Sequence, residues 1–502
     1  MKNIRKFLAV LSALAVLGSC ELYKLPELQK PNAGKNGLDL SKMVSVGNSL
    51  TAGFMNGALY SAGQANSYPA IIAAQMAQAG GGTFNQATTT SINGCFNGAG
   101  GCTQGRLVLK LTRCNPNDLT TPLTPGSVPT VNNPADPSSF ASLSSSAKSS
   151  LNNFGVPGVT LGGALSPALA GNPYYNRIAS AAGTSTLIQD ASTALANGGT
   201  FFTFWLGNND ILGYATAGGT GTFTPADNSP TGFGTLFNTA FNAILAANGN
   251  TKGVVANIPD VTSIPYFSTL NPLAFSVPVC SRAALGAGID QINGAITAWN
   301  TANAANPSAQ RPLLSKNFDR YPLIILDPTL PDAVLPGPFT IPKIRNVRAS
   351  DGILLCLTAA TDPAGFAGGM GLSPLNPINE AAHDRFYLTP AEITEIKGVV
   401  TSYNQIISTA VSAPAVSDRV TLVDANSAFV AIAAGTATVN GSAISASIIP
   451  PFGAFSLDGI HPNARGYAYI ANLFIQAINA KWGSTIPLCN PNNYPSNELP
   501  SP

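Results

Sequence analysis

Two histidines are the first candidates for chemistry, because this chain of 502 residues contains no others. An unperturbed histidine can accept and return a proton near neutral pH, so a hydrolase without a metal would use His383 or His461 as its general base. His461 follows Asp458 by three residues, in the sequence DGIHPN, and a helix-like apolar period begins at Tyr467. A loop that leads into a packed helix can hold an imidazole beside a carboxylate. His383 lies in AHDR, among charged neighbours, and we interpret it as a solvated loop residue.

A serine follows a predicted strand at a point where a nucleophile would be exposed. Residues 43–46 (MVSV) predict a short buried strand, and Ser49 comes after it in the sequence GNSL. Serine is a weak nucleophile until a base takes its proton. His461 is the candidate base, and Asp458 is the candidate acid that orients it. Taken alone, GNSL is also a common turn.

Two further stretches could donate hydrogen bonds to a developing oxyanion. GNND at 207–210 directly follows FFTFWL at 201–206, an apolar run of strand length, so a side-chain amide would stand at the strand end. GVPGVT at 155–160 offers glycine N–H groups for the same purpose. Each stretch by itself is an ordinary turn or loop, and only the order of all four stretches indicates one site.

Together, the four stretches resemble the sequence blocks of the SGNH hydrolases, the GDSL family of serine esterases and lipases. GNSLTAG at 47–53 is similar to the nucleophile block GDSLTxG, and GVPGVT to the glycine block. LGNND at 206–210 is similar to the GxND block, and DGIHPN to the DxxH block. The resemblance extends from residue 39 to about residue 482. The ordinary α/β-hydrolase elbow, GxSxG, fits less well because Thr51 takes the place of its last glycine.

The resemblance implies a role for each matching residue. Ser49 would be the nucleophile, His461 the base and Asp458 the acid of a catalytic triad. The oxyanion hole would consist of the backbone N–H groups of Ser49 and Gly158 and the side-chain amide of Asn209. The reaction would be acyl transfer to water through an acyl-serine intermediate, and it would need no metal or organic cofactor.

One residue departs from the family pattern. Asn48 stands where the family usually has an aspartate. That aspartate is not a triad member, so the departure does not exclude catalysis, but it leaves open how the serine loop is supported. Zinc is a poor alternative on the residues alone, because the chain has no CxxC pair and few histidines.

Short apolar runs alternate with helical periods along the chain. Strand-like runs lie at 43–46, 201–206, 254–258, 323–326 and 420–423, and helical spacing lies at 236–245, 289–299, 392–411 and 467–482. This alternation predicts an α/β fold with a mostly parallel sheet covered on both faces. The resemblance makes this a three-layer α/β/α domain of the SGNH-hydrolase, flavodoxin-like type with five strands. Sites in such sheets form at the carboxyl ends of the strands.

The remaining stretches divide the chain by composition. We predict a signal peptide at 1–19, a lipid-anchored tether at 20–38, the hydrolase domain at 39–485 and a C-terminal tail at 486–502. Loop-rich insertions are predicted near 82–150, 210–235, 260–284 and 328–385, where Gly, Pro and Asn are frequent.

The first residues are typical of an exported protein. Lys2, Arg5 and Lys6 precede an apolar run at 7–17, which is too short to span a bilayer core that needs about 20 residues. The sequence LGSC that ends at Cys20 resembles the bacterial lipobox, in which the cysteine is lipidated and becomes the new N-terminus. An ordinary secretory signal is the alternative. Glu21 is not the aspartate associated with inner-membrane retention, which favours the outer membrane or cell surface, with a periplasm-facing position also open.

Charge and cysteine content limit the partners and the compartment. Charged residues make up 10% of the chain and the formal net charge is +2, which gives no reason to expect a nucleic-acid partner. Without Cys20, six cysteines remain, an even number that suits disulfides in an oxidising compartment. They are Cys95, Cys102, Cys114, Cys280, Cys356 and Cys489. Cys95 and Cys102 could pair locally, but six cysteines allow 15 pairings and the sequence does not choose among them.

The sequence therefore predicts an exported, lipid-anchored serine ester hydrolase of the esterase or lipase type. Its substrate would be a small ester, a lipid or an acylated glycan, and a glycan O-deacetylase that uses the same triad is the alternative enzyme. A surface lipoprotein that binds glycan or lipid on an inactive scaffold is the alternative of another class. Neither the acyl length nor the oligomeric state follows from the sequence.

Overall fold

The fold is organised around one five-stranded parallel sheet. The computed structural model describes residues 33–96, 102–109, 111–112, 124–125, 130–131, 134–273, 279–320, 323–336, 339–355, 386–439 and 441–498. In chain order the sheet strands are β1 (Met43–Gly47), β2 (Asn153–Gly155), β3 (Phe201–Trp205), β4 (Lys252–Ala256) and β5 (Val420–Val423). Across the sheet the order is β2-β1-β3-β4-β5, and every neighbouring pair is parallel. The predicted α/β class with a parallel sheet is confirmed.

Helices cover both faces of this sheet. The main helices are α1 (Ser49–Ala52), α2 (Tyr68–Gln78), α3 (Leu187–Ala196), α4 (Asn209–Thr216), α5 (Phe233–Ala247), α6 (Val279–Ala302), α7 (Pro390–Ser412), α8 (Ala425–Ala433) and α9 (Ala464–Trp482). Shorter helical turns lie at Ser61–Ala65, Pro137–Phe140, Ser145–Ser149, Leu161–Ala164, Pro167–Gly171, Pro173–Asn176, Val261–Ser263, Pro265–Ser268, Pro307–Ala309 and Pro491–Asn493. Helix α2 packs on α9, and α3 packs on α5.

Neighbouring aromatic residues of β3 show how the two faces are filled. The Phe204 ring meets Phe237 of α5 at a centroid distance of 5.7 Å. The next ring, Trp205, meets Tyr68 of α2 at 5.6 Å and Phe474 of α9 at 5.8 Å. Successive side chains of a strand point to opposite faces, so an all-apolar strand fits only a sheet that is covered on both sides. This explains why the run at 201–206 shows no alternation with polar residues.

Two strand predictions need correction. The apolar run at 323–326 is not part of the main sheet, because Ile324–Leu326 pairs antiparallel with Ile344–Asn346 in a separate ribbon. The strand that completes the sheet is Asn153–Gly155, which pairs with β1 at the sheet edge. Three residues with polar Asn and a Gly give no apolar run, so this strand follows from its pairing rather than from its composition.

The segment that follows β4 is more ordered than a loop-rich insertion. Helix α6 packs its apolar face against the Ile324–Leu326 ribbon and forms a second hydrophobic cluster apart from the main core. Beside this cluster, Arg345 lies buried between two carboxylates, with Nε 2.5 Å from Asp327 Oδ2 and Nη2 2.7 Å from Asp351 Oδ1. The predicted insertions near 260–284 and 328–385 therefore contribute residues to a small packed unit, the first through the start of α6 and the second through Ile344–Asn346. His383 and Cys356 lie outside the described residues.

Small antiparallel ribbons account for the other strands. They pair Leu107–Val108 with Thr130–Val131, Leu111–Thr112 with Thr124–Pro125, Val334–Leu335 with Phe339–Thr340, Gly352–Ile353 with Tyr387–Leu388, and Thr438–Val439 with Ser442–Ala443. The first two belong to the predicted insertion near 82–150. Nearby, Cys95 and Cys102 form a disulfide with a Cα–Cα distance of 5.2 Å, so these two cysteines are paired as the sequence allowed.

Three sequence features relate to the ends of the chain. The predicted signal peptide, Cys20 and most of the predicted tether lie outside the described residues. Within the described ranges, no helix combines the length and apolar character needed to cross a bilayer. Near the C-terminus, the Asn472 side chain of α9 donates to the Cys489 carbonyl and accepts from its N–H, at 2.9 Å each. In the described part of the chain Cys489 is a free buried thiol, while Cys114 and Cys356 lie outside the described residues, so the pairing of the remaining cysteines stays a prediction.

Candidate active site

The sheet register brings the candidate stretches to one edge. Gly47, the last residue of β1, lies opposite Gly155 of β2 and Trp205 of β3. The chain leaves all three strands at their carboxyl ends, which is where α/β sheets form their sites. Ser49, Gly158 and Asn209 therefore emerge side by side, although more than a hundred residues separate Ser49 from each of the other two.

At position 47, where β1 ends before the turn that carries Ser49, only glycine fits. A Cβ on Gly47 would stand 2.0 Å from Thr51 Oγ1 and 2.8 Å from the Trp205 carbonyl oxygen. Ser49 is the first residue of α1, and Asn48 is its N-cap, accepting the Leu50 N–H on its side-chain oxygen at 3.0 Å. An aspartate would accept the same bond. Asn48 thus supplies the support that its departure from the family pattern left open.

The candidate acid and the candidate base are joined by a hydrogen bond. His461 Nδ1 lies 2.9 Å from Asp458 Oδ2, and both side chains are largely buried. The imidazole also packs against the Phe54 ring, with a centroid distance of 4.9 Å. The other ring nitrogen, Nε2, remains for proton transfer. Both His461 and Ser49 line one cleft, but no hydrogen bond joins their side chains among the described residues. Such bonds are often long without substrate and tighten in the complex.

The Asp458 carboxylate is held by a ring of donors. Oδ1 accepts the backbone N–H groups of Ile460 and His461 at 2.9 and 2.8 Å and the Ser456 hydroxyl at 3.0 Å. Oδ2 accepts the Gly57 N–H at 2.8 Å. Burial by itself would raise the pKa of Asp458, but the facing His461 and these donors outweigh it, so the pKa lies below its ordinary value. Asp458 therefore stays ionised and can orient the imidazole.

A turn that the sequence analysis missed fastens this loop to the nucleophile helix. Asn56 and Gly57 both have positive φ angles, 55° and 72°. The Asn56 N–H donates to Ser456 Oγ, and the Asn56 side-chain oxygen accepts the Leu457 N–H, both at 2.9 Å. Thus residues some 400 positions apart share one network. The Asn-Gly pair is a turn signal, but nothing in the sequence says which loop the turn contacts.

The proposed oxyanion donors come from the two segments that leave β2 and β3, the strands that flank β1. Gly158 has a φ of 77°, a left-handed conformation that turns the chain towards the cleft. Asn209 Nδ2 donates to the Val159 carbonyl at 2.8 Å, which fixes the amide beside the Gly158 turn. A primary amide has a second N–H, and Asn209 lines the cleft together with Ser49, Gly158 and His461. The arrangement suits a pair of hydrogen bonds to a carbonyl oxygen bound at Ser49.

Asp210 links the two donor segments, a role that the sequence analysis did not assign. Its Oδ2 accepts the Leu161 N–H at 2.9 Å, and its Oδ1 accepts the Thr224 hydroxyl at 2.8 Å. With Asn209 this gives two adjacent residues of α4 that hold the turn at 158–161. Burial raises the pKa of Asp210 to about 6, against the lowering effect of those two donors. Asp210 was already part of the LGNND stretch, but nothing in that stretch indicated that its carboxyl group would bind Leu161 and Thr224.

The cleft itself is large, with a lining of polar and apolar side chains. Its volume is about 1070 Å³. Beyond the four candidate residues it is lined by aromatic, prolyl and small polar side chains, namely Phe54, Pro137, Phe140, Pro157, Thr160, Asn172, Pro173, Tyr174, Leu212, Thr216 and Ile460, with Cys102, Gly171 and Gly213. Among the described residues, this lining includes no Asp, Glu, Lys or Arg. The described residues also contain no group of three or more His, Cys, Asp or Glu placed to hold a metal ion.

Comparison with known proteins adds no relative. No family model, no curated protein and no solved structure matches the chain.

Proposed function

We propose that the protein is a serine ester hydrolase that cleaves carboxylic esters through an acyl-serine intermediate. The observation that carries the proposal is the Asp458–His461 pair, 2.9 Å apart, at the cleft that Ser49, Gly158 and Asn209 also line. A lone catalytic-looking motif would be weak support. Here an acid–base pair, a nucleophile and two oxyanion donors from four distant stretches converge on one cleft, which is the geometry that acyl transfer needs.

Each group has one task in the proposed reaction. His461 Nε2 takes the Ser49 hydroxyl proton as Oγ bonds to the ester carbon, and the carbonyl oxygen becomes an oxyanion. The N–H groups of Ser49, Gly158 and Asn209 stabilise that charge. Collapse breaks the bond to the alcohol oxygen, which receives the proton from His461. Water then attacks the acyl-serine through the same base, and the acid and free serine result.

The test is covalent labelling by a fluorophosphonate, followed by hydrolysis of p-nitrophenyl esters. The wild-type protein should label at Ser49 and hydrolyse the esters, and Ser49→Ala should lose both while its circular dichroism is unchanged. Labelling that persists in Ser49→Ala, or that maps to another serine, contradicts the assignment. A protein that neither labels nor hydrolyses any ester would instead favour the binding lipoprotein.

We also propose that the protein is exported and anchored by a lipid on Cys20, which rests on the resemblance of LGSC to a lipobox. A lipid on this cysteine would be the strong anchor. Cys20→Ala should release the protein from the membrane fraction or block its maturation. Unchanged membrane association of the variant would mean that another anchor exists. Cys489→Ala, which alters a buried thiol far from the predicted lipobox, is the matched control.

A further inference from the structure

A second, much smaller cavity opens beside the nucleophile. Its volume is about 30 Å³, and it is bordered by Ser49 and His461 at one end. Apolar side chains form most of its wall, among them Val261, Ile264 and Phe429. Those three are only 3 to 4% exposed and belong to the main hydrophobic core. The small cavity, which we call the slot, therefore has packed core along this part of its wall.

The size of the slot limits what it can hold. By the same measure the slot has about 30 Å³ against about 1070 Å³ for the cleft, so it holds only a short aliphatic group. Enlarging it would require a core side chain to move. The Phe429 ring, for example, packs edge-on against Phe455 at a centroid distance of 5.9 Å. Close-packed interiors resist such shifts, so an acyl tail of eight or more carbons does not fit.

The reaction decides which half of the ester enters the slot. An ester carbon bound to Ser49 carries the acyl tail on one side and the alcohol on the other. The alcohol must leave and water must enter before His461 can complete the cycle, and both need a path to solvent. The large cleft provides that path, whereas the slot is narrow and has packed core along its wall. The acyl tail stays bonded to Ser49 until the last step, so it is the half that can occupy the slot.

The large cleft then receives the alcohol. Its volume of about 1070 Å³ accommodates a bulky group. Phe54, Phe140 and Tyr174 form a connected aromatic wall, with centroid distances of 6.0 Å and 5.0 Å to Tyr174. The hydroxyl-bearing Thr160 and Thr216 lie on the same cleft. Its described lining residues include no Asp, Glu, Lys or Arg, so none of them would pair with a phosphate or carboxylate of the substrate.

Resting on the proposed esterase function, we propose that the substrate is a short-chain ester, with an acyl group of two to four carbons, of a bulky uncharged alcohol. The slot selects the acyl length, and the cleft selects the alcohol. A lipid carrying long acyl chains is excluded by this arrangement. An acetylated sugar unit and a short-chain acylglycerol share the stated chemistry.

The experiment measures kcat/KM of the mature chain for p-nitrophenyl acetate, butyrate, octanoate and palmitate. We expect the highest values for acetate and butyrate and a fall of at least tenfold by octanoate. Phe429→Leu shortens a side chain in the wall of the slot and should raise the octanoate-to-acetate ratio at least fivefold. Ile264→Val changes the same wall with little risk to folding and should shift the ratio in the same direction. The control is Phe452→Leu, an exposed phenylalanine outside the lining of both cavities, which should leave the ratio unchanged.

The outcomes separate this inference from the proposed function. Fluorophosphonate labelling of Ser49 together with a preference for octanoate or palmitate overturns the slot and leaves the esterase standing. An octanoate-to-acetate ratio of kcat/KM that changes in neither Phe429→Leu nor Ile264→Val also overturns the role of the slot. Loss of labelling and of all ester hydrolysis overturns the function itself. Acetylated oligosaccharide and tributyrin, assayed side by side for acid release, then distinguish the two sources of the alcohol. A preference for an acetyl ester of a charged alcohol would contradict the proposal that the alcohol is uncharged.

Discussion

On the acid–base side of the site, which we define as Asp458 and His461 with their donors, the Asp458 carboxylate accepts three backbone N–H groups, a hydroxyl and the His461 ring N–H. On the oxyanion side, which we define as Gly158, Asn209 and Asp210, the Asp210 carboxyl group accepts one backbone N–H and one hydroxyl from neighbouring segments. Both carboxyl groups are largely buried. Their pKa values nevertheless shift in opposite directions, because donors outweigh desolvation at Asp458 and desolvation outweighs donors at Asp210.

The contrast assigns different physical duties to the two sides. The acid–base side keeps a negative charge on Asp458 beside the imidazole, and in the proposed reaction this charge would stabilise the protonated imidazole during proton transfer. The oxyanion side needs only that Gly158 and Asn209 stay in place, and a buried carboxyl group does this by cross-linking their segments. We therefore expect the acid–base side to dominate the rate and the oxyanion side to bring its own dependence on pH.

The largest effect should come from the base. His461→Ala should lower kcat by roughly 10⁴–10⁶, since members of a triad act as a unit. His383→Ala, the matched control, should have kcat near that of the wild type. Burst kinetics with p-nitrophenyl acetate measure both on protein shown to be folded. A large loss in His383→Ala with little loss in His461→Ala would reverse the assignment of the two histidines.

Loss of one oxyanion donor should cost less. Asn209→Ala should lower kcat by roughly 10²–10³ with a smaller change in KM, because the bond strengthens as the carbonyl oxygen gains charge. Its neighbour Asn208 is also buried, but it has no part in the proposed hole, so Asn208→Ala should keep most of its activity per folded molecule. Active-site titration supplies the folded, competent fraction. A fully active Asn209→Ala enzyme would remove the amide from the oxyanion hole.

The contrast between the two sides also shows where sequence reasoning reaches its limit. The strand ends and the DxxH spacing made Ser49, the GNND stretch, Asp458 and His461 candidates for one site, and the resemblance to the SGNH hydrolases singled out Gly158 and Asn209 as further members. What supports this site depends on long-range contacts that no local pattern contains. The Asn-Gly turn after α1 and the carboxyl group of Asp210 are examples. For the same reason, the edge strand Asn153–Gly155 was missed and the run at 323–326 was placed in the wrong sheet.

A smaller effect should appear in the pH profile. The pKa of Asp210 is raised to about 6, so below that pH the carboxyl group gains a proton and loses part of its hold on the Leu161 N–H. On the acidic side, the plot of log kcat/KM against pH should then have a slope greater than one, because more than one group gains a proton. Asparagine at position 210 cannot titrate. The plot for Asp210→Asn should therefore have a slope of one on its acidic side, and its plateau at higher pH should be lower than that of the wild type.

Stability gives an independent readout for the same variant. A raised folded-state pKa means that the folded protein binds this proton more tightly than the unfolded chain, so the contribution of Asp210 to stability falls as pH rises from about 4 to 6. Relative to wild type, Asp210→Asn should therefore be more stable at pH 8 than at pH 4. If the wild type and Asp210→Asn had the same acidic slope, and if the difference between their stabilities did not change with pH, Asp210 would not titrate in this range.

The smallest effect concerns the capping residue beside the nucleophile. Asn48 accepts the Leu50 N–H at 3.0 Å and so closes the first turn of α1, on which Ser49 stands. Losing a helix cap costs about 1 kcal/mol of unfolding free energy, and a looser α1 should lower kcat only a few-fold. Asn48→Ala should show both changes in urea unfolding and in ester hydrolysis. Asn48→Asp retains the acceptor and places its charge at a helix N-terminus, where a negative charge is favourable, so it should keep kcat within about threefold of wild type. If Asn48→Asp instead fell as far as Asn209→Ala, the amide of Asn48 would have a second role at the site, and the division of duties between the acid–base side and the oxyanion side would be incomplete.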